Sequence, residues 1–257
     1  MQLDLATVLL QWSTGGLLFC WVTTRRREVG PGYGWLLRGV FLVLAAGSVV
    51  AGRVTGDGTS EVVRDLGAMG VVAGAAVALT RSITRRGGAT RGVEFPPSLD
   101  LVAPVAGLVG LAAAASAAGG PYPLSLARVV VGALFLGAVT DAMLLGHWYL
   151  VQPGLDRAPI RQLVVLSTVI WPFEVAALLW PTGMAQVLDG TIEDGWDGLL
   201  GWTWAVSAAT TIGLLVLTWL ALGERSYSAV MAATGLLYLA ILTAFGTDLV
   251  ARAALAG

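Results

Sequence analysis

Apolar residues fill most of the chain in long stretches, which Gly, Pro and charged residues interrupt at intervals. A helix that crosses a bilayer needs about 20 mostly apolar residues, and eight stretches of that length are present. Turn-forming groups such as Gly30-Pro31-Gly32 and Gly119-Gly120-Pro121 separate them. The pattern predicts an all-α polytopic integral membrane protein with a single domain, and helices over residues 3–23, 34–53, 62–80, 99–118, 124–150, 160–180, 198–221 and 229–251.

Arginine placement predicts the orientation of this bundle. If every stretch spans, the run Arg25–Arg27 and most other arginines fall on one side of the membrane. The remaining arginines fall on the other side: Arg53, Arg64, Arg128 and Arg252. Because arginine-rich loops stay in the cytoplasm, the sequence predicts a multi-pass protein of a bacterial cytoplasmic membrane, with both termini outside.

Composition agrees with a membrane chain and narrows the chemistry. Hydrophobic residues make up 56% of the chain and charged residues 12%, whereas soluble domains carry about a quarter charged residues. The net charge of −1 gives no electrostatic footprint for nucleic acid. With Cys20 as the one cysteine and His147 as the one histidine, we expect no metal site and no haem held by this chain alone.

Carboxylates inside the predicted spans are the first candidates for chemistry, because burying an ionisable group in hydrocarbon costs about 2.5–3.5 kcal/mol on insertion scales. Asp141 lies near mid-membrane in the fifth stretch. In the sixth stretch, Pro172 is expected to kink the helix and to free the carbonyl of Thr168. We predict a proton or ion relay of Asp141, Glu174, Trp171 and Thr168. The alternative is a protonated Asp141 that only hydrogen-bonds a neighbouring helix.

Asp248, in the eighth stretch, has a more ordinary explanation. It lies near the outer end of its helix, where we expect it to reach water, and Arg252 follows four residues later as an ion-pair partner. Small residues at four-residue spacing are interpreted as helix-packing positions within the bundle, with contacts in an oligomer as the alternative. They form three rows: Gly70, Gly74 and Ala78; Ala106, Gly110, Ala114 and Ala118; and Ala138, Ala142 and Gly146.

A polar and aromatic run lies at the predicted cytoplasmic end of the fifth helix. It consists of His147, Trp148 and Tyr149, with Arg157 and Arg161 shortly after. A quinone needs hydrogen-bond donors and a flat apolar slot, and a lipid phosphate suits the same groups. We therefore predict a quinone or lipid head-group site here, with quinone as the one cofactor expected and none held covalently. The alternative is an interfacial aromatic belt with one hydrogen-bonded histidine.

The predicted outer loop before the seventh helix is acidic, with Asp189, Glu193, Asp194 and Asp197. It is interpreted as a solvated loop or as a docking surface for a basic partner. A calcium site ranks third, because the spacing departs from the EF-hand pattern. Apolar residues in the same region predict one side of a short interfacial helix: Met184, Val187, Leu188 and Ile192.

Three functions remain open at this point. The leading hypothesis is a membrane subunit of an electron-transfer assembly that binds quinone or lipid and relays protons. Redox subunits would be its partners, because the chain has no redox centre of its own and is not an enzyme by itself. The second hypothesis is a small-solute or proton-coupled transporter that uses Asp141 and Glu174. The third is a structural scaffold or anchor subunit.

Overall fold

A computed structural model describes residues 4–55, 58–84 and 95–256. All eight predicted spans are confirmed as helices long and apolar enough to cross a membrane. The largest difference between a predicted and an observed helix end is in the third helix, which ends at Thr84 instead of residue 80. In chain order the helices are α1 (Leu5–Thr24), α2 (Pro31–Thr55), α3 (Thr59–Thr84), α4 (Val102–Ala117, after a 3-10 turn at Pro97–Leu101), α5 (Tyr122–Val151), α6 (Ala158–Leu179), α7 (Met184–Leu188), α8 (Leu199–Ala221) and α9 (Tyr227–Ala254).

Helices α1 and α5 form the centre of the bundle. In their most apolar windows, 67% of α1 and 72% of α5 are buried by other parts of the protein, against 28% for α6 and α8. Helix α1 packs against α2, α4 and α5, and α5 also packs against α6 and α9. Most polar side chains of α1 and α5, such as those of Gln11 and Asp141, are therefore shielded from lipid as well as from water.

Glycines allow α1 and α5 to cross in backbone contact. A Cβ atom on Gly15 would lie 1.7 Å from the carbonyl oxygen of Ala133, and one on Gly137 would lie 2.3 Å from the carbonyl carbon of Gly15. Lipid supplies no hydrophobic drive for helix association, so membrane helices rely on such close packing between small residues.

The predicted packing role of small residues is confirmed between α3 and α4. There, any Cβ added to a glycine of α3 would meet α4 at about 3 Å or less. The facing positions are Gly67 with Gly110, Gly70 with Ala106, and Gly74 with Ala103.

The described ends of the chain lie on one face of the bundle, which we call the terminal face. Asp4, just before α1, contacts Arg64 near the start of α3, and Arg252, near the end of α9, contacts Gln11 of α1. The terminal face therefore holds the starts of α1, α3 and α5 and the ends of α2, α4, α6 and α9. The start of α2, the end of α5 and the start of α9 lie at the opposite face.

The predicted interfacial helix near residue 184 is shorter than expected. Helix α7 ends at Leu188, where Gly190 turns the chain with a φ of +80°, and Ile192 lies beyond the helix. Met184 and Val187 are buried in a small cluster with Trp204 of α8. The apolar side of α7 therefore packs against the end of the bundle.

Candidate functional site

Four polar side chains meet inside the terminal half of the bundle, and we call them the terminal cluster: Gln11, Glu174, Asp248 and Arg252. The Arg252 Nε donates to Asp248 Oδ2 at 2.8 Å, and both side chains are only 2% exposed. The Gln11 Oε1 accepts from Arg252, and Gln11 Nε2 lies 3.4 Å from Asp248 Oδ1. Gln11 therefore joins α1 to the ion pair of α9.

The expected contact of Asp248 with water is wrong, although its predicted ion pair with Arg252 is confirmed. Asp248 is buried because its side chain faces α1 and α5. Gly132 of α5 leaves the necessary space, since a Cβ there would lie 2.1 Å from Gln11 Nε2 and 3.4 Å from Asp248 Oδ1.

The structure gives the predicted relay residues of α6 separate environments. Glu174 is buried and interacts electrostatically with Asp248 and Arg252, and within the described ranges its Oε2 has no hydrogen-bond partner. The Trp171 Nε1 donates to the carbonyl of Ala208 in α8 at 3.1 Å, and Thr168 donates to its own helix. Pro172 lies within the continuous helix α6.

A second group of buried polar residues occupies the other half of the bundle, and we call it the opposite cluster: Cys20, Tyr33, Arg38, Asp100 and Asp141. Arg38 and Asp100 form a bidentate ion pair, in which Arg38 Nε donates to Asp100 Oδ1 at 2.7 Å and Arg38 Nη2 donates to Asp100 Oδ2 at 2.6 Å. Both side chains are 4% exposed. Cys20 lies within electrostatic range of Arg38, Asp100 and Asp141. The Tyr33 hydroxyl donates to the backbone carbonyl of Asp141 at 3.2 Å.

Asp141 is the most unusual member of this cluster. Its side chain is fully buried, and neither carboxylate oxygen has a hydrogen-bond partner in the part of the chain that the structure describes. Leaving a buried polar group unsatisfied costs about 1–3 kcal/mol, and more when the group is charged. The sequence-based alternative, in which Asp141 bonds a neighbouring helix, therefore has no support from the contacts of its carboxylate.

Trp12 connects the surroundings of the two clusters. It follows Gln11 on α1, and its Nε1 donates at 2.7 Å to the hydroxyl of Thr140, the residue before Asp141. On α5, Gly132 and Asp141 are nine residues apart, which corresponds to about 14 Å along a helix. The clusters therefore lie at different depths of the same bundle.

Each half of the bundle also contains a cavity. At the opposite face, a cavity of about 450 Å³ is lined by the pair Arg38–Asp100 and by Trp35 and Phe95. At the terminal face, a cavity of about 340 Å³ is lined by arginines of three helices, one of which is Arg252 of the terminal cluster. Both volumes fall within the range of about 300–1,000 Å³ that is typical of small-molecule sites.

The residues predicted to hold a quinone or a lipid head group contact three different neighbours. His147 is exposed, with Nδ1 3.4 Å from the Tyr238 hydroxyl. Trp148 donates to Gln152 at 3.1 Å. Tyr149 is buried, and its hydroxyl donates to a loop carbonyl.

The two arginines of that prediction are also placed apart. Arg157 donates to backbone carbonyls of the turn between α8 and α9, including that of Ser226 at 2.9 Å, whereas Arg161 is exposed. Arg157 therefore holds together two turns at the opposite face.

The acidic loop before α8 uses part of its charge internally. Asp194 accepts four backbone N–H groups, from Trp196, Gly198, Leu200 and Gly201. Desolvation acts to raise the pKa of Asp194, but these N–H groups outweigh it and leave the pKa below its ordinary value. The hydroxyl and backbone N–H of Thr191 lower the pKa of Asp189. Glu193 and Asp197 are exposed, and docking of a basic partner stays a prediction.

Sequence reasoning did not select Gln11, Arg38 and Asp100 as site residues. A signal was present for Arg38, because an arginine inside an apolar stretch of helix length is itself a functional candidate. The position of Gln11 next to Gly132 gave no such signal, because it depends on the packing of α1 against α5.

The described residues include no group of three or more His, Cys, Asp or Glu side chains placed to hold a metal ion. Comparisons of the chain with protein-family models, with curated proteins and with solved structures gave no match.

Proposed function

We propose that this chain is a membrane transport protein that couples its transport to protons, with Asp141 as the proton-carrying group. The observation that carries the proposal is the buried Asp141 carboxylate without a hydrogen-bond partner among the described residues. A carboxylate in a dry interior needs a partner, and a proton or a solute that comes and goes provides one.

The distribution of charge along the bundle supports transport. Ionisable side chains are buried in both halves, as the pairs Arg38–Asp100 and Asp248–Arg252, and a cavity borders each of them. Ionisable groups inside membrane proteins usually line pathways for ions or substrates. A scaffold would need neither the cavities nor a carboxylate without a partner.

A quinone or lipid head-group site at His147, Trp148 and Tyr149, in a subunit of an electron-transfer assembly, stays a prediction. We rank this site below transport, because the three side chains contact different neighbours.

Proton flux through the purified protein tests the proposal. The wild-type protein is reconstituted into liposomes that contain a trapped pH-sensitive dye, and a pH gradient is applied while valinomycin and potassium clamp the membrane potential. We expect Asp141→Asn to reduce the protein-dependent flux at least tenfold, because the amide cannot release a proton. A hydrophobic carbodiimide should inhibit the wild-type protein and label Asp141, as read by peptide mass spectrometry.

The matched control is Asp197→Asn, the same substitution at an exposed loop position, which should keep wild-type flux. Flux through the wild-type protein that does not exceed the flux of protein-free vesicles would overturn the proposal. So would an Asp141→Asn variant with full flux.

A further inference from the structure

Three arginines from three helices converge on the cavity at the terminal face. Arg64 of α3, Arg128 of α5 and Arg252 of α9 all line it, and they are 3%, 7% and 1% exposed. Small residues at the end of α4, among them Ala117, form another part of the wall and leave the volume of about 340 Å³ open. Side chains that usually reach into water are here almost fully buried in the wall of a cavity.

The arginines differ in how their charge is compensated. Arg252 is paired with Asp248, and Arg64 contacts Asp4 and Asp65. Arg128 donates only to backbone carbonyls in the described part of the chain, those of Ala177 at 2.9 Å and of Thr182. Arg128 therefore brings a buried positive charge that no carboxylate of the described residues pairs.

Arg64 adds a donor that none of the described residues uses. Its Nε and Nη1 bind Asp65 and Asp4, but its buried Nη2 has no hydrogen-bond partner among the described residues. A guanidinium presents its donors in a rigid planar fork that matches the oxygens of phosphate and carboxylate groups. Arg64 thus has a buried donor without a partner among the described residues, and it shares a cavity wall with Arg128, which no described carboxylate pairs. Such a wall is suited to an anionic ligand.

Among the described residues, the cavity wall holds two carboxylates, Asp4 and Glu61, against its three arginines. The Asp4 carboxylate accepts from the N–H groups of Ala6 and Thr7, from the Thr7 hydroxyl and from Arg64. Glu61 is half-buried, and its carboxylate lies against Gly58, at the start of its own helix. Both carboxylates thus have positions set by the helix ends that they occupy.

We propose that the cavity lined by Arg64, Arg128 and Arg252 binds a phosphate-type oxyanion. The oxyanion is either free inorganic phosphate or the phosphate of an anionic lipid head group, since both offer the same oxygens. This inference does not rest on Asp141, and binding is measured without a proton gradient, so either proposal can fail alone.

Calorimetric titration of the purified protein with inorganic phosphate, in a neutral detergent, tests the proposal. Sodium chloride at equal ionic strength serves as the reference. We expect saturable phosphate binding by the wild-type protein and at least tenfold weaker binding by Arg128→Gln. Arg53→Gln is the matched control, because this arginine is exposed on the same face outside the cavity, and it should bind as the wild type does.

Nanodiscs of phosphatidylcholine with and without phosphatidylglycerol separate the two sources of phosphate. Retention of phosphatidylglycerol on the purified protein, seen by native mass spectrometry and lost in Arg128→Gln, would support the proposal with a lipid as the source. If Arg128→Gln does not fold, Ala117→Leu replaces it, because the larger side chain fills the cavity and keeps all three arginines. Absence of both phosphate and phosphatidylglycerol binding by the wild-type protein, or binding that the folded cavity variants leave unchanged, would overturn the proposal.

Discussion

Buried ion pairs and hydrogen bonds decide what individual residues do in this protein. The pair Asp248–Arg252 illustrates this, because a spacing of four residues on a helix surface usually gives a solvated pair worth a few tenths of a kcal/mol. Here both side chains are buried, and Gln11 contacts both of them. Breaking a buried pair leaves an uncompensated charge, which costs far more than the loss of an exposed pair.

Arg252→Met should therefore destabilise the protein by about 3–5 kcal/mol. The double variant Asp248→Leu with Arg252→Met should recover part of that loss, because it also removes the stranded carboxylate. Unfolding of the purified protein in mixed detergent micelles measures both free energies. A double variant less stable than Arg252→Met alone would contradict this explanation.

At the scale of elements, the crossing of α1 and α5 organises the bundle. The two helices touch through Gly15 and Gly137, which brings Gln11, Trp12 and Gly132 to the same interface. A shift of either helix would therefore disturb the terminal cluster and the Trp12–Thr140 bond together.

Gly15→Ala should lower the melting temperature, because its Cβ would overlap a backbone carbonyl of α5 and force the helices apart. Overpacking of this kind costs about 1–3 kcal/mol. The matched control is Gly39→Ala in α2, where a Cβ meets nothing within 4 Å. It should leave the melting temperature unchanged or raise it, since alanine favours helix by up to about 1 kcal/mol. Equal effects of the two substitutions would contradict the close crossing.

The start of α8 depends on the ionised form of Asp194. Because its folded pKa lies below the ordinary value of about 3.9, its contribution is complete above about pH 4 and is lost as the pH falls through the folded pKa. Hydrogen exchange at Leu200 and Gly201, corrected for its intrinsic pH dependence, should therefore accelerate in that acidic range. The exchange at these two residues should no longer accelerate in acid in the Asp194→Asn variant, whereas the Asp197→Asn variant should show the same acceleration as the wild type. Protection that stays constant down to pH 2 would contradict the role of Asp194.

For the whole molecule, polar clusters in both halves of one bundle agree with the proposed transport function. The opposite cluster borders a cavity at one face, and the terminal cluster borders a cavity at the other. Helix α5 passes both clusters, at Asp141 and at Gly132. Which face is cytoplasmic then decides from which side an oxyanion would enter the terminal cavity. The arginine distribution predicts that the terminal face is outside.

Cysteine labelling in cells tests that orientation. Cys20 is buried and should give little background. A membrane-impermeant maleimide should label Glu193→Cys, in the terminal-face loop, in intact cells. Glu224→Cys, in the turn at the opposite face, should react only after the membrane is opened. The reverse pattern would place the terminal face in the cytoplasm, and labelling of both positions in intact cells would contradict the eight-span topology.

The sequence alone determined the class, the number of apolar helices long enough to span, and their ends to within about four residues. Each span has to be long, apolar and helical to cross hydrocarbon, and Gly, Pro and charged residues mark where it stops. These are local properties of the chain. For the same reason the sequence selected Asp141 and Glu174, since a carboxylate within an apolar run stands out by its neighbours.

Only the tertiary structure decided which polar residues meet. Eight apolar helices can rotate about their axes and choose neighbours in many ways at similar hydrophobic energy, because lipid and protein interior are equally apolar. The choice rests on close contacts such as Gly15 with Gly137 and Gly132 with Gln11. Those contacts placed Glu174 with Arg252 rather than with Asp141, and they assembled the arginine cavity from three distant segments of the chain.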